Sequence, residues 1–327
     1  LIFISSSIFA KEINELEKAI ELEKKGKYKE ANELYKTILK SKSRDKYLLD
    51  LSKNQNHEVE TFTLMKKNFY KEVDKSQDKE TNENLEQMIT GNFGLYPYKK
   101  NYLLPISYDT KKRNNREQFE TVFQFSIEKP IAYNFLGFNE AISFAYTQKS
   151  FWQTGADSSP FRETNYYPEI FLQFPYKNSE ILKGYKISLM HHSNGRNNEN
   201  SRSWNRLYVE GYLQLSKVFL IPKLWYRIPE ESKDDDNSDI HNFYGYGDIT
   251  ILYPYKKHTF ELMIRNNLKS ASRNKGAVAL DWTFPLLDII PTNNFYGFVH
   301  IFSGYGDSLI DYNKEVNRIG FGITFSR

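Results

Sequence analysis

The sequence predicts an all-β fold, a twelve-stranded antiparallel transmembrane β-barrel preceded by a small α-helical N-terminal region. Three observations predict it. From about residue 95 onward, runs of roughly ten residues alternate apolar and polar side chains between clusters of Gly, Asn, Asp, Ser, Lys and Pro, the pattern of strands and turns. Aromatic residues make up 16% of the chain, with 24 Tyr and 24 Phe, which suits a barrel with two aromatic girdles. Mean hydropathy is -0.66 and no segment after the first ten residues is long and apolar enough for a membrane helix. A barrel wall averages lipid-facing and lumen-facing side chains, so that value is compatible with a membrane-spanning strand protein.

The elements follow in chain order. Residues 1–10, Leu-Ile-Phe-Ile-Ser-Ser-Ser-Ile-Phe-Ala, read as the remnant of a signal peptide, which implies export. Over 11–45, Ile13, Leu16, Ala19 and Ile20 share one helical face; after Gly26, Tyr28, Ala31, Leu34, Tyr35 and Ile38 share another. These spacings predict two amphipathic helices. The stretch Gly26-Lys-Tyr-Lys-Glu-Ala31 resembles part of a tetratricopeptide repeat, too little for a solenoid. It is either a marginal helical hairpin or a small module with a periplasmic partner. Residues 46–92 are charged and rich in Asn and Gln, and read as a linker that closes a helical periplasmic region spanning 11–92.

The barrel domain covers 95–327. Candidate strands are 102–109, 118–128, 138–152, 163–175, 181–193, 203–216, 217–228, 242–254, 257–268, 276–286, 294–304 and 316–326. Their number is even, as a closed bacterial barrel requires, and such barrels reside in the Gram-negative outer membrane. In the last strand Ile319, Phe321, Ile323 and Phe325 occupy one face, and Arg318, Gly320, Gly322 and Thr324 the other. The absence of Cys excludes disulfides and thiolate-ligated metals. Basic and acidic residues number 45 and 41, net +4, and are spread along the chain, which argues against a nucleic-acid partner.

One pair of strands carries chemistry. Tyr185, Ile187, Leu189, His191 and Ser193 fall on one face; Lys186, Ser188, Met190 and His192 fall on the other. After the loop 194–202, Asn205, Leu207, Val209, Gly211, Leu213 and Leu215 share a face. A hairpin centred near Asn198 sets 191 opposite 205 and 193 opposite 203. His191, Ser193 and Asn205 then cluster at the lipid-facing edge, and alternation points His192 into the lumen. Unpaired polar groups facing hydrocarbon cost on the order of a few kcal/mol each. Mutual hydrogen bonding lowers that cost: Asn205 can orient the imidazole, and the imidazole can take the Ser193 proton, which generates a nucleophile. His-x-Ser is a common spacing, and on spacing alone the three read first as the polar ends of two strands.

The run His191-His-Ser193-Asn-Gly195-Arg196, followed by Ser201-Arg-Ser-Trp-Asn205-Arg, resembles the signature of the outer-membrane phospholipase A family. So do Tyr146-Thr-Gln148-Lys-Ser-Phe-Trp152-Gln, Ser158-Ser-Pro-Phe-Arg162-Glu-Thr-Asn165-Tyr166 and Ser303-Gly-Tyr-Gly-Asp-Ser-Leu-Ile-Asp-Tyr312. The resemblance spans roughly 95–327 and excludes the helical region. It implies hydrolysis of acyl esters of membrane phospholipids, with Ser193 as nucleophile, His191 as general base and acid, Asn205 as orienter and the Gly195 amide in the oxyanion hole. It implies calcium, held by the Arg196 carbonyl and the Ser201 hydroxyl, with Ser158 supplied by the partner of an active homodimer. Gln148 aligns with a polar residue of that dimer interface. Some members place an Asp in the 197–200 loop for an additional calcium site; here Asn197, Asn198, Glu199 and Asn200 stand there, and Glu199 is its acidic candidate. The alternative is a non-enzymatic outer-membrane pore or surface barrel, which has no use for a lipid-facing His, Ser and Asn set.

Overall fold

A computed structural model of the chain describes residues 18, 20–25, 27–36, 77–82, 86, 94–113, 116–176, 178–231, 233, 235–286 and 295–325. Contacts divide the chain into two compact units, Leu1–Asn92 and Phe93–Arg327. The expected signal segment 1–10 and most of the expected linker lie outside the described residues. In the first unit, residues 20–24 and 28–36 are helical on either side of Gly26. Ala31 is buried there, and the Tyr35 hydroxyl donates to Glu23 at 2.9 Å across the two helices.

The second unit is a closed barrel of twelve long antiparallel strands. They are β2 (Tyr102–Asp109), β3 (Phe119–Tyr133), β4 (Ala141–Trp152), β5 (Phe161–Pro175), β6 (Leu182–Ser193), β7 (Ser203–Leu215), β8 (Val218–Ile228), β9 (Gly247–Tyr255), β10 (His258–Asn266), β11 (Gly276–Pro285), β12 (Tyr296–Tyr305) and β13 (Glu315–Thr324). Each pairs with its neighbour in sequence, and β13 pairs with β2 to close the wall, so no edge is left open. A two-residue strand that the alternation did not predict, β1 (Tyr96–Pro97), pairs with β3 beyond the start of β2. Among the described residues no helix is long and apolar enough to cross a membrane.

Three boundaries differ from the sequence expectation by more than two residues, each for a local reason. Strand β3 runs on to Tyr133 because Pro130 is absorbed at a register shift, although Glu128-Lys129-Pro130 breaks the apolar alternation. Strand β4 starts at Ala141 and not 138, since Glu140 folds its carboxylate back onto the Leu136 and Phe138 amides at 2.6 and 3.1 Å and makes 134–140 a turn. Strand β9 starts at Gly247 and not 242. The residues before it form a one-turn helix, His241–Tyr244, and the chain reverses at Gly245 with φ +64°. A side chain at 245 would come within 2.6 Å of the Asn266 carbonyl oxygen.

The outer wall is apolar: Ile106, Phe125, Phe144, Ile170, Leu189, Leu207, Leu224, Ile249, Ile264, Val278, Ile301 and Phe321 are all exposed. In water that surface would be a liability, and in a bilayer it is the solvated face. The lumen is not an open channel. Ion pairs fill its inner face: Lys99–Glu169 at 3.0 Å, Lys186–Glu210 at 2.9 Å, Lys223–Glu210 at 2.7 Å, Lys100–Asp281 at 2.7 Å and Arg318–Glu120 at 2.7 Å. Met190, Trp204, Tyr208, Trp225, Ile240, Tyr244, Leu309 and Tyr312 pack into an apolar cluster between them. Buried charges that are paired and hydrogen-bonded are tolerable where isolated ones are not.

Candidate active site

Strand alternation decides which side chains can reach the site. On β6, Gly184, Lys186, Ser188, Met190 and His192 are buried, while Tyr185, Ile187, Leu189, His191 and Ser193 are not. On β7, Trp204, Tyr208 and Glu210 are buried, and Ser203, Asn205, Leu207 and Val209 face out. The ladder pairs His191 with Asn205 and Ser193 with Ser203, which is the hairpin register read from the sequence. On its other side Ser193 pairs with Tyr166 of β5. The three candidate residues therefore share one patch of the outer wall, at the end of the strands that leads into the loop 194–202.

His191 Nδ1 and Asn205 Oδ1 are 2.9 Å apart. Carbonyl oxygen only accepts, so Nδ1 carries a proton, and in the neutral ring the lone pair is then on Nε2. No hydrogen bond joins the Ser193 hydroxyl to the imidazole among the described residues; such contacts often close only when substrate is bound. His192 is accounted for otherwise. It is buried, accepts from Trp204 Nε1 at 3.0 Å, and stacks on Tyr167 with ring centroids 4.1 Å apart. It has no path to Ser193 as a base.

The loop after Ser193 is held by Asn194, a residue outside the sequence candidates. Its side chain is buried; Oδ1 accepts from the Arg196 and Arg202 amides at 3.3 and 3.0 Å, and Nδ2 donates to the Asn200 carbonyl at 2.8 Å. Gly195 follows with φ +62°, and a Cβ there would lie 2.9 Å from the Tyr166 ring. Only glycine fits both demands. Gly195 is exposed and no acceptor for its amide occurs among the described residues, which leaves that amide free to receive an oxyanion.

The proposed cation ligands are placed in two groups. Arg196 fixes itself through its guanidinium, which donates to the Phe161 carbonyl at 3.2 Å and to the Arg162 carbonyl. The Ser201 hydroxyl donates to the carboxylate of Asp236, in the loop after β8. Asp236 forms no ion pair among the described residues, so Ser201 and Asp236 offer a hydroxyl and an uncompensated carboxylate to a hard cation. Ser158 lies in the separate turn between β4 and β5, at φ +58°, exposed. Its neighbour Ser159 turns its hydroxyl inward onto the Thr154 carbonyl at 3.2 Å. Of the two, Ser158 is the one presented outward. Glu199 sits in the short helical turn Asn198–Asn200, and among the described residues no group of three or more His, Cys, Asp or Glu side chains is placed to hold a metal ion.

Gln148 faces outward on β4, bonded to the Tyr146 hydroxyl at 3.0 Å and to the Ser150 hydroxyl at 3.3 Å. Ser150 in turn contacts the Thr164 hydroxyl at 3.1 Å. This makes a short polar track on an otherwise apolar wall, beside the β5–β6 ladder that carries Ser193.

The sequence candidates omit one further residue of the site. Asn205 Nδ2 donates to Glu230 Oε1 at 2.9 Å. Partial burial and the nearby Asp235 push the Glu230 carboxyl above its ordinary value, against the pull of Arg227, the Asn205 hydrogen bond and His191.

Residues 77–325 match the family model described as phospholipase A1. A phospholipase A1 of Klebsiella pneumoniae is 35% identical over 256 residues, covering 73% of this chain and 85% of that protein. A putative phospholipase A1 of Neisseria meningitidis is 33% identical over 264 residues, covering 73% and 67%. Among solved structures, the outer membrane phospholipase A from Escherichia coli superposes with a TM-score of 0.65 at 32% identity, over 72% of this chain and 99% of that one. The Salmonella typhi outer membrane phospholipase, solved as a dimer with bound calcium, gives a TM-score of 0.64 at 33% identity, over 72% and 93%.

Proposed function

The chain belongs to the phospholipase A1 family, as an outer-membrane β-barrel enzyme, and from that premise we propose that Ser193, His191 and Asn205 hydrolyse phospholipid acyl esters on the outside of the barrel. The observation that carries the reading is the 2.9 Å contact of His191 Nδ1 with Asn205 on a lipid-facing surface. A lumen packed with ion pairs speaks against the pore alternative, whose transport would need an aqueous path.

The steps follow from the positions. Ser193 Oγ attacks the ester carbonyl carbon while His191 Nε2 takes its proton. The imidazolium so formed donates through Nδ1 to Asn205 Oδ1. The carbonyl oxygen becomes an oxyanion and is received by the Gly195 amide. Collapse breaks the ester C–O bond, and His191 returns the proton to the leaving lysophospholipid alkoxide. Water, deprotonated by His191, then releases the fatty acid from Ser193. A neutral Asn in place of Asp suits a site that faces hydrocarbon, where an ionised carboxylate is harder to hold.

Calcium suits these oxygen donors: the Arg196 carbonyl, the Ser201 hydroxyl and the Asp236 carboxylate would hold it, with Ser158 of the partner subunit completing the set. When bound it supplies positive charge near the developing oxyanion. In this reading two barrels pair through the outer wall around Gln148, with acyl chains held between them. The Salmonella typhi relative, solved as a dimer with bound calcium, supports the dimer and the cation.

The test is fatty acid release from mixed micelles by the purified protein, with calcium or with excess chelator. Ser193→Ala should be inactive and chelator should silence the wild type. Equal activity of Ser193→Ala and wild type would sink the triad, and full activity in chelator would sink the calcium role.

A further inference from the structure

The geometry points to Glu230 as a fourth, positioning member of the relay: it fixes which way round the Asn205 carboxamide faces and sets a negative charge at the far end of the Asn205–His191 line. This rests on the triad reading above and adds a residue to it.

The placement follows from strand geometry. Asn205 pairs with Ile228, the last residue of β8. Side chains two apart on an extended segment share a face, so position 230 returns to the side on which Asn205 projects. Pro229 stands between them. It has no amide to continue the ladder and keeps the residue before it extended, so the strand ends there without losing its direction. Glu230 is half-buried. Its charged neighbours are Arg227 on β8, Asp235 in the loop and His191 on β6. Arg227 is already occupied, by Asp235 and by the Ser238 carbonyl at 3.0 Å. Among the described residues Glu230 has no cationic partner, and its one side-chain hydrogen bond is the one from Asn205 at 2.9 Å.

That single bond has a chemical consequence. A carboxamide is nearly symmetric in shape and can present oxygen or nitrogen to the imidazole. With nitrogen forward, it donates to Nδ1, which drives the imidazole proton to Nε2 and removes the base that Ser193 needs. A carboxylate accepts only. With Glu230 behind it, the flipped carboxamide would set oxygen against oxygen, whereas the observed one gives a donor to each acceptor. The correct imidazole tautomer is thereby selected from two strands away. When His191 becomes an imidazolium, the Glu230 charge also lies in line with it through the amide. The neutral Asn is thus backed by an anion held at the water-facing rim, where a carboxylate is less costly than on the hydrocarbon face.

Four variants test this: Glu230→Ala, Glu230→Gln, Asn205→Asp and the double Glu230→Gln/Asn205→Asp. Glu230→Ala should lower kcat roughly ten- to a hundred-fold, the scale of one hydrogen bond to a charged group, with KM and melting temperature unchanged. Glu230→Gln keeps an acceptor oxygen but loses the charge and the acceptor-only constraint, and should fall between. Asn205→Asp puts two carboxylates in contact and should be the weakest at neutral pH. Adding Glu230→Gln to it reverses the polarity of the pair, a donor now facing a carboxylate, and should recover activity above Asn205→Asp alone. A merely structural Glu230 predicts no such recovery. A kcat for Glu230→Ala within twofold of wild type, or a double variant no better than Asn205→Asp, overturns the inference. The rate of Ser193 modification by a serine-reactive inhibitor gives the same ordering without micelles or calcium. Should Ser193→Ala retain activity, the triad itself fails; should Ser193→Ala be dead and Glu230→Ala normal, only this inference fails.

Discussion

Arg162 and Asp311 meet across 149 positions of sequence, with Nη1 donating to Oδ2 at 3.1 Å. The contact joins the start of β5 to the loop between β12 and β13. Beside it, Glu163 accepts the Ile310 amide at 2.7 Å and Asn165 accepts the Leu309 amide at 3.1 Å. These are the segments 158–166 and 303–312, two of the stretches on which the family resemblance rests. None of these contacts touches the reacting groups. They build a floor: the Arg162 carbonyl receives the guanidinium of Arg196, which sits in the loop behind Ser193. Arg116 adds a second cation to Asp311 at 2.9 Å, and Arg318 bridges Glu120 and Asp307, both at 2.7 Å.

The first prediction concerns acid stability. Burial pushes the Asp311 carboxyl up, but Arg162 and Arg116 more than offset it and hold it below its ordinary value. A carboxyl lowered in the folded state contributes stability that is present above its unfolded value of about 3.9 and is lost as pH falls through the folded one. The melting temperature of the detergent-solubilised protein should therefore drop as pH is taken below about 4. Asp311→Asn should cost about 1–3 kcal/mol at neutral pH, since it leaves two guanidinium groups short of charge, and should flatten the acid drop. An acid limb identical in wild type and variant would assign it to other carboxylates.

The second concerns the loop that follows the nucleophile. Asn194 satisfies two amides and one carbonyl of its own loop from a buried position. Asn194→Ala removes all three bonds and leaves those groups in search of water. Activity should fall roughly ten- to a hundred-fold through misplacement of the Gly195 amide, while the barrel, which does not depend on this loop, keeps its melting temperature within a few degrees. Unaltered kcat/KM would show that the loop holds its shape without it.

The third isolates the oxyanion donor. Gly195→Ala must adopt a left-handed backbone at a cost of about 1–2 kcal/mol and must displace the Tyr166 ring, 2.9 Å from the new Cβ. Both effects move the amide. The expected outcome is a loss of roughly a hundred-fold or more in kcat with a smaller change in KM, the pattern of an interaction made in the transition state. Tyr166→Ala in the same background should relieve the clash and return part of the loss; no recovery would place the defect in the backbone conformation alone.

Much of this was legible in the sequence, and the parts that were not share a cause. Alternation with period two gives the strands, and a hairpin centre gives the register, so the pairing of His191 with Asn205 and the inward turn of His192 could be read from 185–215 alone. Alternation does not see where a chain leaves the wall. The helix His241–Tyr244 and the extension of β3 past Pro130 arise from one glycine turn and one bulge, which have no period. The same applies to the site. Asn194, Asp236 and Glu230 lie in loops, and their roles depend on which loops meet above the barrel. Glu230 alone had a trace, its place two residues beyond the partner of Asn205, but the hairpin with β8 had to be in register before that trace meant anything.

The last prediction separates the cation site from the triad. The Ser201 hydroxyl and the Asp236 carboxylate are in contact, the first from the loop before β7 and the second from the loop after β8. Neither side chain forms a hydrogen bond with His191, Ser193 or Asn205 among the described residues. Ser201→Ala and Asp236→Asn should therefore raise the calcium concentration needed for half-maximal activity, by roughly ten-fold or more for the loss of the charged ligand, and should approach wild-type kcat when calcium is in excess. Modification of Ser193 by a serine-reactive inhibitor should stay within a few-fold of wild type in both, because the His191–Asn205 pair proposed to activate the hydroxyl is left intact. Ser158→Ala should share the calcium phenotype, and its defect should be complemented by mixing with Ser193→Ala protein, since each mixed dimer then joins an intact triad to a partner that retains its own Ser158. Failure of that complementation, with both single variants folded, would place Ser158 on the same subunit as the site it serves or remove it from the cation site altogether.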